Sequence, residues 1–545
     1  MNFDWHNPYP TIRTPVFARN VVATSQPLAA QAGLRVLQAG GNAVDAAVAA
    51  AAVITMTEPC SNGLGADNFA IVWDPVQREL LGLNSSGNAP AAWTLDYFRS
   101  RYGDDLAKNR PVRGWDTVTV PGAVAGWGLL HGRLGRLSFA DVLAPAIEYA
   151  ERGFAVSAIV QDKWQRAIPL LKDGPGFAEH FMPKGRAPAI GEHYTLPGAA
   201  RTLKLLAAEG AESFYRGEIA AAIERYARTS GGALTAADFS AYWDFAQENG
   251  WVGTISTHYQ GHELHEIPPN GQGIAALACL GILRHTSLAD CALDSADWQH
   301  IAIEAMKLAF ADTYAHVADP RSMRVSPSAL LDEGYLAERA RRIDLRRAQA
   351  FSAGTPPRGG TIYLTTADAD GCMVSLIQSN YISFGSGVVV PGYGVSLQNR
   401  GHGFSMDPAS PNVVAPGKRP FHTIIPAFVM KDGRPVMSYG VMGGNMQPQG
   451  HVQTLVRMLL ANQQPQAACD APRWKVMTGL DVEVEGSMPG AVVDELRQRG
   501  HHVMSANDSY MDFGSGQFIW RLGDPAVEGY VAASDSRRDG LAAGY

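Results

Sequence analysis

The stretch Ser352-Ala-Gly-Thr-Pro-Pro-Arg-Gly-Gly360 constrains the chain more than any other part of it. Proline fixes φ and donates no backbone hydrogen bond, and glycine adds conformational freedom, so neither a helix nor a central strand runs through such a segment. The character of the sequence changes across it. On the amino-terminal side, residues 28–58 are alanine-rich with apolar residues at helical spacing and a break at Gly40-Gly41, which predicts two helices joined by a tight turn. Residues 122–232 continue in a helical pattern, and 296–315 predict a further helix that Asp319-Pro320 ends. A hairpin is predicted within 69–83, where two short apolar runs flank the polar turn at Asp74-Pro75. On the carboxy-terminal side, 361–367 and 372–378 read as strands around a turn at 368–371. In a chain of 545 residues this mixture predicts layered sheets and helices, arranged as several domains or one large sandwich.

Composition removes several function classes. Lys+Arg 45 against Asp+Glu 52 gives a net charge of -7, without the basic excess that nucleic-acid binding requires, so no nucleic-acid partner is expected. Five cysteines, Cys60, Cys279, Cys291, Cys372 and Cys469, form no C-x-x-C pair and suggest no disulfide framework. The longest apolar run, Ala46 to Ile54, falls far short of the roughly 20 residues that span a bilayer. Met1-Asn-Phe-Asp-Trp-His6 lacks the basic and apolar regions of a signal peptide, so a soluble cytoplasmic protein with no membrane partner is expected. The chain has no G-x-S-x-G, and Gly417-Lys418 precedes Arg419 where a P-loop needs Ser or Thr. His262-Glu-Leu-His265 lacks the i, i+4 spacing of a helical metal pair and is expected to be a strand with polar residues facing water. His501-His502 would point in opposite directions on a strand, and no metal site or cofactor is expected.

Gly359-Gly360 before Thr361 admits two readings. One is a hinge ahead of a hairpin. The other is a self-cleaving junction, in which the Thr361 hydroxyl attacks the Gly360 carbonyl and scission leaves threonine as a new amino terminus. The freed α-amine, with a pKa of about 8, then serves as base for its own hydroxyl.

Further blocks stand along the chain at Gly40-Gly-Asn-Ala-Val-Asp-Ala-Ala47, Glu58-Pro59, Val120-Pro-Gly-Ala-Val-Ala-Gly126, Leu143-Ala-Pro-Ala-Ile147, residues 304–312 and Phe384-Gly-Ser-Gly387. In these blocks and their order the chain resembles, over nearly its whole length, the γ-glutamyltransferases, N-terminal nucleophile hydrolases made as self-cleaving precursors. The resemblance favours self-cleavage and implies a four-layer αββα sandwich formed by a large subunit, 1–360, and a small catalytic subunit, 361–545. It also implies Thr361 as nucleophile, Ser379 as the hydroxyl bonded to it, and the N–H groups of Gly443 and Gly444 as the oxyanion hole.

The departures concern the substrate. The family's Arg-Glu-x-Ala-Pro pattern is Ser86-Gly-Asn-Ala-Pro90 here, its acidic residue falls on Gly403, its Asn on Tyr381 and its Ser-Ser pair on His422-Thr423. Each lost charge-assisted contact costs about 1.5 to 3 kcal/mol, so efficient γ-glutamyl binding is not expected. Residues 396–405 and 416–426 are instead similar to the acylase and oxamate amidohydrolase branch, and the interval between them is shorter than in transferases with a lid loop, which favours hydrolysis. The resemblance thus implies a cofactor-independent amidohydrolase working through an acyl-Thr361 ester on a small carboxylate-bearing amide. Oxamate is the first candidate and a glutaryl-type amide the second, with γ-glutamyltransferase or glutathione hydrolase as the alternative. A retired binding protein would need a broken nucleophile, yet Thr361, Ser379 and Gly443-Gly444 are all present. Arg400 is expected to take the substrate carboxylate through its bidentate fork, against the alternative of a structural ion pair. Tyr381, His422 and Thr423 are expected to line the pocket, and the two subunits to assemble as a dimer of heterodimers.

Overall fold

The computed structural model describes residues 4, 6, 8–11, 13–351, 360–506 and 513–545, and the linker at 352–359 lies outside them. Two seven-stranded sheets dominate it. The first runs, in spatial order, Leu541–Gly544, Val21–Thr24, Gly360–Ala367, Met373–Tyr381, Asp67–Asp74, Glu79–Ser85 and Trp251–Val252. The second runs Val16–Ala18, Tyr530–Ser534, Ser515–Arg521, Arg434–Met442, Ala427–Lys431, His262–Glu266 and Ile255–Tyr259. Both sheets draw strands from either side of Thr361.

Alternation of side chains along the strands builds three apolar layers. Tyr363, Ile377 and Phe69 meet Phe428, Met442 and Ile519 between the sheets. Ile362, Leu364 and Leu376 point the other way, into a cluster with Val48 of the helix Ala43–Thr57 and Trp127 of the helix Ala123–Leu134. Val429, Met437 and Val441 of the second sheet pack with the helices Gly273–Leu283, Ala296–His316 and Met446–Leu460. The result is the αββα sandwich.

The predicted helices lie at Pro27–Gln38, Ala43–Thr57 and Ala296–His316, and both hairpins form. The helical stretch 122–232 is interrupted by a short strand pair, Phe154–Ala155 with His193–Tyr194. His262 is a correction of another kind: the strand forms, but this side chain is buried against Trp520 and bonds the Gln260 carbonyl, because both sheet faces are covered.

At Gly40-Gly41 the chain turns into a capping box. Asn42 Oδ1 accepts from Val44 and Asp45 N–H, and Asp45 Oδ2 accepts from Asn42 N–H at 3.1 Å. Asp45 also accepts from Arg136 and Leu137 N–H at 3.0 and 3.1 Å, which joins this helix start to a distant loop.

His300, Glu304 and His501 converge as a metal triad would, but Lys307 Nζ stands among them, 2.8 Å from Glu304 Oε1 and 3.3 Å from His501 Nδ1. His501 donates on to His300, which donates to the Asp344 carbonyl at 2.8 Å. Lys307 and Glu304 hold Gln349 O and N–H at 3.2 and 3.1 Å, so the cluster clamps the chain just before the linker. Among the described residues, no helix is long and apolar enough to cross a membrane.

Candidate active site

Thr361 is the second residue of its strand and faces the space between the sheets, where it is 3% exposed. Its neighbour is set by an irregular register: Gly360 pairs with Tyr381 but Ile362 pairs with Gln378, so the adjacent strand bulges opposite Thr361. Tyr381 has φ +76° there. The bulge brings Ser379 Oγ to 3.2 Å from Thr361 Oγ1 and to 2.8 Å from the Gly360 carbonyl oxygen. One serine hydroxyl therefore touches both the predicted nucleophile and the carbonyl it would attack.

Arg400 approaches from a short 3-10 turn, Arg400–Gly403. Its guanidinium is fully buried and lies 4.2 Å above the Tyr381 ring. Nη2 donates to Ser379 Oγ at 3.2 Å and Nη1 to Thr423 Oγ1 at 2.8 Å. Burial lowers its pKa to about 10, against the opposing pull of Asp67.

Asp67 is a residue that sequence reasoning missed. It pairs in register with Ser379 on the neighbouring strand, fully buried. Its Oδ1 accepts from Gly87 and Gly122 N–H at 3.2 and 3.1 Å, and its Oδ2 accepts from His422 Nε2–H at 3.0 Å. Gly122 is required for this approach, because a Cβ there would sit 1.8 Å from the Ser85 carbonyl oxygen. Burial pushes the Asp67 carboxyl up to about 6 despite Arg400 and the two N–H donors. His422 Nδ1 accepts from Ile424 N–H, so the imidazole is neutral with its proton on Nε2; burial and then Arg400 and Arg419 hold its pKa well below the ordinary value. Both ring nitrogens are used within the fold. His422 is thus a correction to the expected pocket lining: it braces Asp67 from inside the sandwich.

Gly443 and Gly444 follow the strand Arg434–Met442 and precede the helix Met446–Leu460, with φ +131° and +61°. The first angle is one that side-chain-bearing residues rarely adopt, and the second lies in the left-handed region that favours glycine. Stacking between the sheets relates this turn to Thr361. Thr365 Oγ1 meets Ser438 Oγ at 2.6 Å, and the Tyr363 ring lies over Gly440, so each two-residue step toward Thr361 advances two residues toward the turn. The Gly443 carbonyl accepts from Met446 N–H at the helix start, which turns the trans-related N–H of Gly444 away from the helix. Gln272 Nε2 ties the Gly444 and Thr423 carbonyls together at 2.9 and 2.6 Å.

A cavity of about 480 Å³ opens beside these residues, with Tyr381, Thr423, Gly403 and Asn445 in its wall. Arg110 and His402 also line it, whereas Arg400 does not. Burial and the nearby Arg110 lower His402 to about 4, leaving it neutral at physiological pH. Arg110 donates through Nη1 to the Phe404 carbonyl. Sequence reasoning missed Arg110 because it lies in an irregular loop with no neighbouring motif.

The Gamma-glutamyltranspeptidase family model matches residues 29–545. The chain belongs to the γ-glutamyltranspeptidase family. Within the γ-glutamyltranspeptidase family it is 35% identical to the glutathione hydrolase-like YwrD proenzyme of Bacillus subtilis, covering 98% of this chain and 99% of that protein. It is 36% identical to the oxamate amidohydrolase proenzyme of Klebsiella pneumoniae, over 95% and 97% of the two chains. The crystal structure of cephalosporin acylase from Bacillus halodurans superposes with a TM-score of 0.91 at 44% identity, covering 100% of this chain and 99% of that one. Members of the γ-glutamyltranspeptidase family with such names act on amide bonds, and this chain is an enzyme of that kind.

Proposed function

We propose that the chain cleaves itself between Gly360 and Thr361 and then hydrolyses a small carboxylate-bearing amide, with oxamate the first candidate. The observation that carries this reading is the single Ser379 hydroxyl held against both Thr361 Oγ1 and the Gly360 carbonyl. After scission the Thr361 amine takes the proton of its own hydroxyl, Oγ1 attacks the substrate carbonyl, and the amine returns a proton to the leaving nitrogen. The N–H groups of Gly443 and Gly444 are assigned to the oxyanion; such a donor contributes about 3 to 4 kcal/mol. Water then releases the acid from the acyl-Thr361 ester.

The substrate class rests on the cavity. Arg110 is the one cationic side chain among its described lining residues, and it stands where a carboxylate needs a partner. Arg400, expected at first to fill that role, has both Nη atoms engaged by hydroxyls behind Tyr381. The oxamate amidohydrolase relative supports a short acyl group, and the cephalosporin acylase neighbour supports the glutaryl-type alternative.

Purified wild type should run as fragments of about 38 and about 20 kDa, the smaller beginning at Thr361, and Thr361→Ala should stay whole. On a panel of acid amides, oxamate or a short diacid monoamide should be turned over and γ-glutamyl anilide should not. Arg110→Ala should raise KM about 10- to 100-fold with little change in kcat, because a carboxylate contact is present in ground and transition states alike. An intact active chain would sink the cleavage reading. Efficient γ-glutamyl anilide turnover would move the assignment to glutathione hydrolase.

A further inference from the structure

Arg400 is a buried cation without a carboxylate within ion-pairing distance among the described residues, so the cost of its burial is offset chiefly by the hydroxyls and the ring it touches. Asp67, the acid whose field reaches it, already spends its oxygens on His422 and two backbone N–H groups. What Arg400 does touch is Ser379. That oxygen also accepts from Tyr381 N–H at 2.8 Å, so two N–H donors occupy its two lone pairs. Its one proton is then directed at the Gly360 carbonyl oxygen, 2.8 Å away.

We propose that Arg400 is a positioning residue for self-cleavage, fixing and polarising the Ser379 O–H as the donor to the oxyanion that forms on Gly360. This inference rests on the Gly360–Thr361 scission proposed above. In the first step Thr361 Oγ1 attacks the Gly360 carbonyl carbon, and the former carbonyl oxygen takes the negative charge. Collapse breaks the bond to the Thr361 nitrogen, which departs as an amine carrying the proton lost from Oγ1, and leaves an ester. Water cleaves the ester to the Gly360 carboxylate and the free Thr361 hydroxyl. Charge develops on the atom that Ser379 faces, and a cation behind a hydroxyl strengthens its hydrogen bond to an anion. The Tyr381 ring under the guanidinium and Thr423 on Nη1 keep the fork aimed at Ser379.

The test follows scission of the full-length chain by mass spectrometry in wild type, Arg400→Met, Arg400→Lys, Ser379→Ala and the Ser379→Ala/Arg400→Met double variant. Arg400→Met is expected to slow scission about 100-fold, the scale of one lost oxyanion donor, and Arg400→Lys to recover part of the loss. The double variant should be no slower than Ser379→Ala alone, because Arg400 acts through that hydroxyl. Unfolding midpoints of the uncleaved variants, set beside Thr361→Ala, separate this from a merely structural role. Should Arg400→Met fail to fold, Arg400→Lys decides: slowed scission with an unchanged midpoint supports the proposal. Wild-type scission in either folded Arg400 variant, or losses that add in full in the double variant, would overturn it. A wild-type chain that does not cut at Gly360–Thr361 would instead remove the reading beneath it.

Discussion

Asp67 pairs with Ser379 across neighbouring strands and takes no chemical step, yet it ties the stability of the fold to pH. Its carboxyl, pushed up to about 6 by burial, lies above the ordinary carboxylate value of about 4. Between those values the folded chain keeps a proton that the unfolded chain has released. The stabilisation from this group is therefore complete below about pH 4 and lost as pH rises through about 6. Asp67→Asn cannot respond in this way, and its amide meets the His422 Nε2–H with a donor on one side or the backbone N–H groups on the other. In the uncleaved Thr361→Ala background, Asp67→Asn should be destabilising at every pH, and by about 1.4 kcal/mol more at pH 5 than at pH 8. Denaturant unfolding at the two pH values measures the difference. A penalty that does not change with pH would mean that Asp67 is ionised throughout that range. The Gly-Gly-Thr junction draws attention to Thr361 by itself, whereas Ser379 and the glycine pair come only through the resemblance to a family. Asp67 is legible by neither route, since its partner His422 is distant in sequence and nothing near either residue announces the other.

At the scale of elements, the residues that carry the resemblance divide into those proposed to do chemistry and those that hold ends together. Gly40 to Ala47 belongs to the second group. Asn42 and Asp45 cap the helix Ala43–Thr57, and Asp45 extends the cap to the loop at Arg136-Leu137. The helix is buried along its whole length, so water cannot replace those contacts. Asp45→Ala should cost about 2 to 4 kcal/mol, the sum of a lost cap and of buried N–H groups left without an acceptor. Calorimetry on the uncleaved Thr361→Ala background measures it, and Asp45→Asn should recover only part of the loss. Apolar spacing revealed this helix, its partner and both hairpins, because each is a local period. The bulge opposite Thr361 has no local signal: it exists only in the pairing of Gly360 with Tyr381 and Ile362 with Gln378.

For the whole molecule, the layered class was readable and the strand order was not, because that order joins the far ends of the chain. Leu541–Gly544 completes the sheet beside Val21–Thr24, which in turn flanks the Thr361 strand. Val16–Ala18 lies beside Tyr530–Ser534 in the other sheet. The interleaving gives the proposed scission a direction in time. Before the cut, every strand finds its place by a unimolecular search; after it, the same sheets can be rebuilt only by an encounter of two chains, neither of which holds a complete sheet. Denatured Thr361→Ala should regain its structure at a rate independent of concentration. The cut protein should recover with second-order kinetics and poor yield at micromolar dilution, as light scattering and circular dichroism would record. The cut would then act as a ratchet: the precursor sequence specifies the fold, and the mature enzyme keeps it only for as long as it never lets go.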